Sequence, residues 1–272
     1  MQLRMRKPGP PLSAFVEVLW SFEGHSPSHQ LERILPDGSV ELVINLHEDR
    51  ARIYDRQDHS LVQTFSGSIV AGPHSQYSVI DTAGQSSVVG VHFKPGGAFP
   101  FLGLPSSELH DLHVSLDTLW GNSARLLRDR LLEAETVDAR LRILEQALLA
   151  RRTWMAGLHP AVRFALGEFQ AGPHTRTIAE VTQQIGLSPR RFIEVFREQA
   201  GMTPKLFCRV RRFQRVVQSV AAGRQVEWAE VALAGGYFDQ AHFNHDFRTF
   251  SGLSPTAYAR LPFRHANHVP IL

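Results

Sequence analysis

Residues 177–201 read TIAEVTQQIGLSPRRFIEVFREQAG, and the glycine at 186 divides them into two short helices. The first runs from Ile178 to about Gln184. The second opens on Ser188, a side chain that can cap free backbone N–H groups, with Pro189 preset for the first helical position. Two short helices joined by a tight glycine-containing turn make the helix-turn-helix layout. In the second helix Phe192, Val195, Phe196 and Gln199 recur at i, i+3, i+4 and i+7, so they share one face. Arg190, Ile193, Glu194 and Arg197 must then point outward, with Arg191 beside them.

The pattern occurs twice. FREQAGMTPKLF at 196–207 returns as FRTFSGLSPTAY at 247–258, the shared residues shifted by 51 positions throughout. Duplication of one helical unit is the simplest explanation. In the second copy VEWAEVALAGGYF supplies the first helix and the turn, and Asp239 caps DQAHFNHDFRTFSG. Phe243, Phe247 and Phe250 face inward there. Ala241, Asn244, His245 and Arg248 lie outermost, with Gln240 and His242 at the flanks and Asp246 alongside. Between the copies Pro204 starts a long helix with an apolar stripe of Leu206, Val210, Phe213 and Val217. Arg209, Arg211, Arg212 and Arg215 make that helix basic, and it can hold the two units at a fixed separation.

Charge is divided unevenly along the chain. The net charge is +3, but residues 160–272 hold 14 Lys and Arg against 8 Asp and Glu, while the remainder holds 15 against 18. A basic C-terminal half suits a polyanion, and all but one of its basic residues are arginines, whose planar fork fits phosphate and guanine edges.

The N-terminal half has another texture. Val16, Val18 and Trp20, then ILPDGSVELVINL at 34–46, TFSGSIVA, YSVID and VVGVHF are short alternating runs broken by turn residues, the mark of strands. From 105 to 155 Leu-rich helical spacing takes over, as in Leu127 with Leu131 and Leu141 with Leu144 and Leu148. The expected fold is therefore α+β in two domains. A β-rich domain at 1–104, a barrel or a sandwich, carries a helical extension at 105–158 that either covers it or forms a dimer interface. An all-α domain at 159–264 follows, with a boundary near MAGLHP at 155–160. Its first helix-turn-helix unit spans about 177–201, its linker helix 204–221 and its second unit 227–251.

The marks GLSPRRF, Phe196-Arg197, GMTP, Arg212, Ala232, GGYFDQAHF and FSGLSP spread over residues 177–260, which thereby resemble the DNA-binding domain of the AraC/XylS transcriptional regulators. The resemblance implies a regulator that binds double-stranded DNA sequence-specifically, each monomer placing two recognition helices in successive major grooves about 34 Å apart. Carried onto this chain, the expected DNA contacts are Arg190, Arg191, Ile193, Glu194, Arg197, Arg212, Gln240, Ala241, His242, Asn244, His245 and Arg248. Glu194 would accept from cytosine N4 or hold Arg190 and Arg197 in place. Thr182 and Val216 stand where a small alanine is common in the family. His245 and Asp246 replace an arginine and a small residue, so the first unit is expected to anchor binding and the second to tune it. A protonated His245 on a phosphate would strengthen binding as the pH falls. LPDGSVELVINL and VVGVHFKPGG resemble an N-terminal domain on a subset of these regulators, over about residues 10–150. A cupin-like barrel with a small-molecule effector in its interior, a homodimer and contact with RNA polymerase are what the same resemblance implies.

Trp20, Phe22, Asn45 and His74 are candidates by residue type to line that pocket. The alternative is an N-terminal domain that serves dimerisation or protein interaction without a small molecule. No metal or other cofactor is expected: His-x-His occurs nowhere, and His25 with His29, or His110 with His113, lack converging ligands. No nucleophile motif, phosphate loop or dinucleotide fingerprint appears, so no enzyme is expected. Cys208, between arginines on the linker helix, is expected to be a small packed residue. With no run of apolar residues long enough for a signal or a membrane span, the expected location is the cytoplasm.

Overall fold

The computed structural model describes residues 2–24, 29–151, 157–171, 176–221, 228–261 and 265–271. His25, part of the MAGLHP boundary and Glu227 at the expected start of the second unit lie outside the described residues.

Two antiparallel sheets build the N-terminal half. The strands are β1 (Gln2–Arg6), β2 (Val16–Glu23), β3 (Leu31–Ile34), β4 (Glu41–Asn45), β5 (Arg50–Tyr54), β6 (Val62–Ser66), β7 (Ser68–Ala71), β8 (Ser78–Asp81), β9 (Ser87–Phe93), β10 (His113–Ser115) and β11 (His268–Ile271). One sheet runs β1-β2-β9-β4-β7-β10 and the other β11-β3-β8-β5-β6. Two strands fall outside the span expected to be β-rich. β10 pairs Val114 with Val70 at the edge of the first sheet, inside the segment expected to be helical. β11 brings the chain's end back onto β3, His268 opposite Ile34. Neither three- nor four-residue run offers a periodicity of its own; each is a strand because a sheet edge receives it.

Helices α1 (Phe99–Leu102), α2 (Leu116–Trp120), α3 (Asn122–Glu133) and α4 (Val137–Arg151) follow. Leu127, Leu131, Leu141, Leu144 and Leu148 are buried in one cluster with Leu19, Val89 and Val91. The leucine-rich helices therefore cover the first sheet with the face that the sequence marked as apolar.

The C-terminal half consists of α5 (Pro160–Ala171), α6 (Ile178–Ile185), α7 (Pro189–Ala200), α8 (Pro204–Ala221), α9 (Trp228–Ala234), α10 (Gln240–Ser251) and α11 (Pro255–Ala259). Its core is a chain of aromatic rings, Phe169, Phe192, Phe196 and Phe207 around α7, then Phe213, Phe243, Phe247, Phe250 and Tyr258 around α10. Edge-to-face contacts link them at 5–6 Å, the geometry that ring quadrupoles favour.

Leu35 and Val269, on the second sheet's side, are buried in this helical core and not in the sheet core. The turn between β3 and β4 is seated on α8: Gly38 lies against the Phe207 ring, Gln214 donates to the Pro36 carbonyl at 2.8 Å, and Arg211 donates to the Asp37 carbonyl at 3.5 Å. The loop between β7 and β8 meets both units. Gly201, which ends α7, is so close to Pro73 that a Cβ would lie 2.2 Å from its ring. Gly252, which ends α10, has the Tyr77 ring 2.6 Å from the same notional atom.

Candidate nucleic-acid interface

Helix α6 is opened by a reciprocal cap: Thr177 Oγ1 accepts from the Glu180 backbone N–H, and Glu180 accepts from that of Thr177. Those bonds hold the Glu180 carboxyl below its ordinary range. Ser188 caps α7 by accepting from the Arg191 N–H. Phe192, Val195, Phe196 and Gln199 are buried, while Arg190, Arg191, Ile193, Glu194 and Arg197 are exposed, as the spacing requires. The Glu194 carboxylate reaches Arg190 at 3.1 Å and Arg191 at 3.5 Å. The expected partners were Arg190 and Arg197. Helical side chains lean toward the N-terminus, which carries Glu194 to the arginines before it. Exposed pairs of this kind contribute only about 0.3–0.5 kcal/mol, so they orient the two guanidinium groups without locking them.

In the second unit Asp239 caps α10 by accepting from the His242 N–H at 2.7 Å. Gln240, Ala241, His245 and Arg248 are exposed; His242 and Asn244 are half-buried. Asp246 does not stand on this outer face. It is 1% exposed and takes two bonds from Arg209 of α8, at 2.6 and 3.3 Å, with Arg209 also over the Phe250 ring. The 51-residue offset places Asp246 where the first copy has buried Val195, so the second copy has exchanged an apolar contact for an internal ion pair. His242 turns the same way, 3.8 Å from Asp246 and edge-on to Tyr237.

Arg212, expected among the DNA contacts, is half-buried: it donates to the Gly236 carbonyl at 3.2 Å and lies over the Tyr237 ring. Arg215 reaches the carbonyls of Gln170 and Ala171 at the end of α5, where the helix dipole is negative. The arginines that make α8 basic in sequence thus hold the protein's own parts together. Thr182, at the alanine-like position, satisfies its buried hydroxyl on the Ile178 carbonyl at 2.6 Å. Cys208 is half-buried and burial pushes its thiol up to about 11, in keeping with a packing role.

The four pocket candidates do not converge. The Trp20 indole donates to Glu41 and its ring covers Gly90. Phe22 is a half-buried neighbour on the same strand. Asn45 is buried and fully used: its amide donates to the carbonyls of Gly84 and Arg50, and its oxygen accepts from the N–H groups of His47 and Glu48. His74 stacks on His113 in the β7–β8 loop region. A cavity of about 310 Å³ lies elsewhere, outside the sheets, between α3 and α4 and lined by Trp120, Leu126, Leu127, Arg130 and Arg151. A second, of about 470 Å³, runs along the first unit past Thr182, Leu187, Phe192 and Ile193.

Sequence reading missed a charged cluster behind the β3–β4 turn. His92 lies opposite Glu41 in register, hydrogen-bonds to its carboxylate and sits 3.3 Å from Asp37. Burial works against its charge, but Glu41 and Asp37 prevail and raise its pKa to about 10. The signal was faint because the partners are 51 residues apart and joined only by strand pairing.

Residues 181–261 match the family described as Helix-turn-helix domain, and residues 4–115 match Domain of unknown function (DUF6597). LumQ of Photobacterium leiognathi, described as a probable transcriptional regulator, is 32% identical over 82 residues, 30% of this chain and 33% of that protein. By that match residues 181–261 form a helix-turn-helix domain. The match spans about a third of the length of LumQ. Among solved structures, ToxT of Vibrio cholerae strain SCE256 in a form with bound unsaturated fatty acid is 10% identical, with a TM-score of 0.46 and coverage of 89% of this chain and 93% of that one. A further ToxT structure gives the same score and identity over 95% and 98%. No described helix is long and apolar enough to cross a membrane.

Two outcomes follow for the helix-turn-helix domain and the turn that rests on it. Arg209→Met takes both hydrogen bonds from the buried Asp246 carboxylate and leaves only His242, 3.8 Å away, beside it, so it should cost about 3 kcal/mol, the lower end of the usual range. Adding Asp246→Val, which restores the pattern at Val195, should recover most of that in denaturant titrations; no recovery would show that the pair does not act as a unit. His92 gains its carboxylate neighbours on folding, so its stabilisation is complete below the ordinary histidine pKa of about 6.5 and is lost as the pH rises toward about 10. Unfolding midpoints of the wild type should fall through that window more steeply than those of His92→Gln, and parallel curves would refute the assignment.

Proposed function

We propose that the chain is a sequence-specific transcriptional regulator that reads two successive major grooves of double-stranded DNA per monomer. One observation supports this most: two helices 51 residues apart, α7 and α10, each capped by a side-chain oxygen and each presenting an exposed polar first turn. Recognition helices enter the groove by those N-terminal residues. The proposed readers are Arg190, Arg191, Ile193, Glu194 and Arg197 in the first unit, and Gln240, Ala241, Asn244, His245 and Arg248 in the second. Arg212 and His242 are assigned to holding the second unit. A first face with three arginines against one glutamate would anchor the complex. The second, with its aspartate withdrawn, would tune it.

If the two units engage about six to ten phosphates, affinity should drop about 10³- to 10⁵-fold between 50 and 200 mM salt. Glu194→Ala should relax base preference at one position while leaving nonspecific affinity equal or higher. Salt-independent binding in fluorescence anisotropy would sink the reading.

Control by a small molecule in the N-terminal domain is the accompanying proposal. A second reading, that this domain supports the readers mechanically without a ligand, draws on the seating of the β3–β4 turn on α8 and of Pro73 and Tyr77 on the two helix ends. Thermal unfolding against a metabolite panel separates them. A ligand at a hundred times its Kd adds about 2.7 kcal/mol, and no shift with any compound favours mechanical support alone.

A further inference from the structure

Phe238, the residue before the cap of α10, is 92% exposed. A full phenyl ring in water is unusual on a surface whose neighbours are Asp239, Gln240 and Ala241, and the duplicated unit shows what it has given up. Leu187 occupies the same place before α7, and it packs on the helical core. The residue before a helix cap commonly makes that contact, stapling itself to the fourth helical residue, here Phe192. In the second copy the fourth residue is Phe243, and its staple comes from Tyr237, one position earlier, with ring centres 5.2 Å apart. Tyr237 is itself held under Arg212 and is 3% exposed. Phe238 is therefore released from packing and projects beside the first turn of the second reader helix.

We infer that Phe238 is a specificity-determining residue, making apolar contact with the C5-methyl group of a thymine at the edge of the second unit's site. The inference rests on the proposed reading of DNA by α10. In the major groove only thymine among the four bases offers a methyl group, and phenyl rings are among the side chains that meet it. The polar readers that follow, Gln240, Asn244 and His245, address donors and acceptors; Ala241 is the one apolar side chain among the proposed readers of this helix, and the Phe238 ring offers a larger apolar face before it. The first unit has the reverse arrangement: its residue before the cap is packed, and its exposed apolar reader, Ile193, comes later, from within the helix.

The test uses the full-length chain. A bound sequence is selected from random duplex DNA, and each thymine in the second unit's half is then replaced singly by deoxyuridine, which removes only the methyl. One replacement should weaken wild-type binding about threefold to tenfold, the size expected for burying one methyl group against a ring. Phe238→Ser should lose that sensitivity and Phe238→Leu should keep part of it. Both should retain the wild-type melting temperature, since the ring is in solvent. Equal sensitivity in wild type and Phe238→Ser, or no sensitivity in either, overturns the inference while leaving the regulator reading intact. Failure to select any sequence overturns that reading and this inference with it.

Discussion

Helix α8 has to satisfy three surfaces at once, and the arrangement of everything C-terminal depends on it. Phe207, Val210, Arg211 and Gln214, at helical spacing on one stripe, take the β3–β4 turn at Asp37, Pro36 and Gly38. Arg209, Arg212 and Phe213, on the next stripe, take the second unit through Asp246, Gly236 and Phe247. Phe207 meets Phe196 of the first unit, and Arg215 meets the end of α5. Eighteen residues at about 1.5 Å each give a rod of roughly 27 Å, long enough to space two recognition elements and committed along its length to internal partners. A basic helix in a DNA-binding domain invites the assumption that its arginines face phosphate. Here their geometry assigns them to carbonyls, a carboxylate and aromatic rings, where desolvation makes each bond count for more than it would on the surface.

Duplication explains the shared frame, and the differences between the copies show which positions the frame dictates. The caps Ser188 and Asp239, the inward Phe192 and Phe243, and the closing glycines at 201 and 252 are interchangeable or identical because backbone geometry fixes them. Val195 against Asp246 is a free exchange only because Arg209 happens to lie across from the second copy. With that carboxylate inside, the outward positive charge of the second reader helix rests on Arg248, where the first has Arg190, Arg191 and Arg197, so the first offers the stronger attraction to a polyanion.

Much of this was legible in the sequence. The period of the apolar residues, the caps and the turn glycines put α7 and α10 where the structure has them, because those signals are local. What escaped was the direction of long side chains. Arg209 and Arg212 lie on the polar side of a helical wheel, and nothing in a linear sequence tells a solvent-facing arginine from one reaching a neighbouring helix. Asp246 was placed alongside the outward residues of the second unit. Its burial is set by a partner 37 residues away. The strands β10 and β11 escaped for a related reason: each is too short to have a pattern, and each exists through pairing with a distant edge. Trp20, Asn45 and His74 had the right chemistry for a pocket. Trp20 is spent on Glu41 and Asn45 on four backbone groups, while His74 packs on His113 and keeps Nε2 buried without a partner.

Among the described residues, the β7–β8 loop bears on the closing ends of both α7 and α10. Pro73 bears on the glycine closing α7 and Tyr77 on the glycine closing α10, while the opening turns at Arg190 and Arg191 and at Gln240 and Ala241 stay exposed. Contacts at the C-terminal ends leave the reading faces uncovered, so the domain is not placed as a mask. A shift of the β7–β8 loop relative to the turn seated on α8 would instead act at the far ends of two levers whose fulcrum is that helix. Over a helix of 12 residues, about 18 Å long, a small displacement at the closing glycine becomes a change of tilt at the opening turn. Because one loop touches both helix ends, a displacement of that loop reaches α7 and α10 at once.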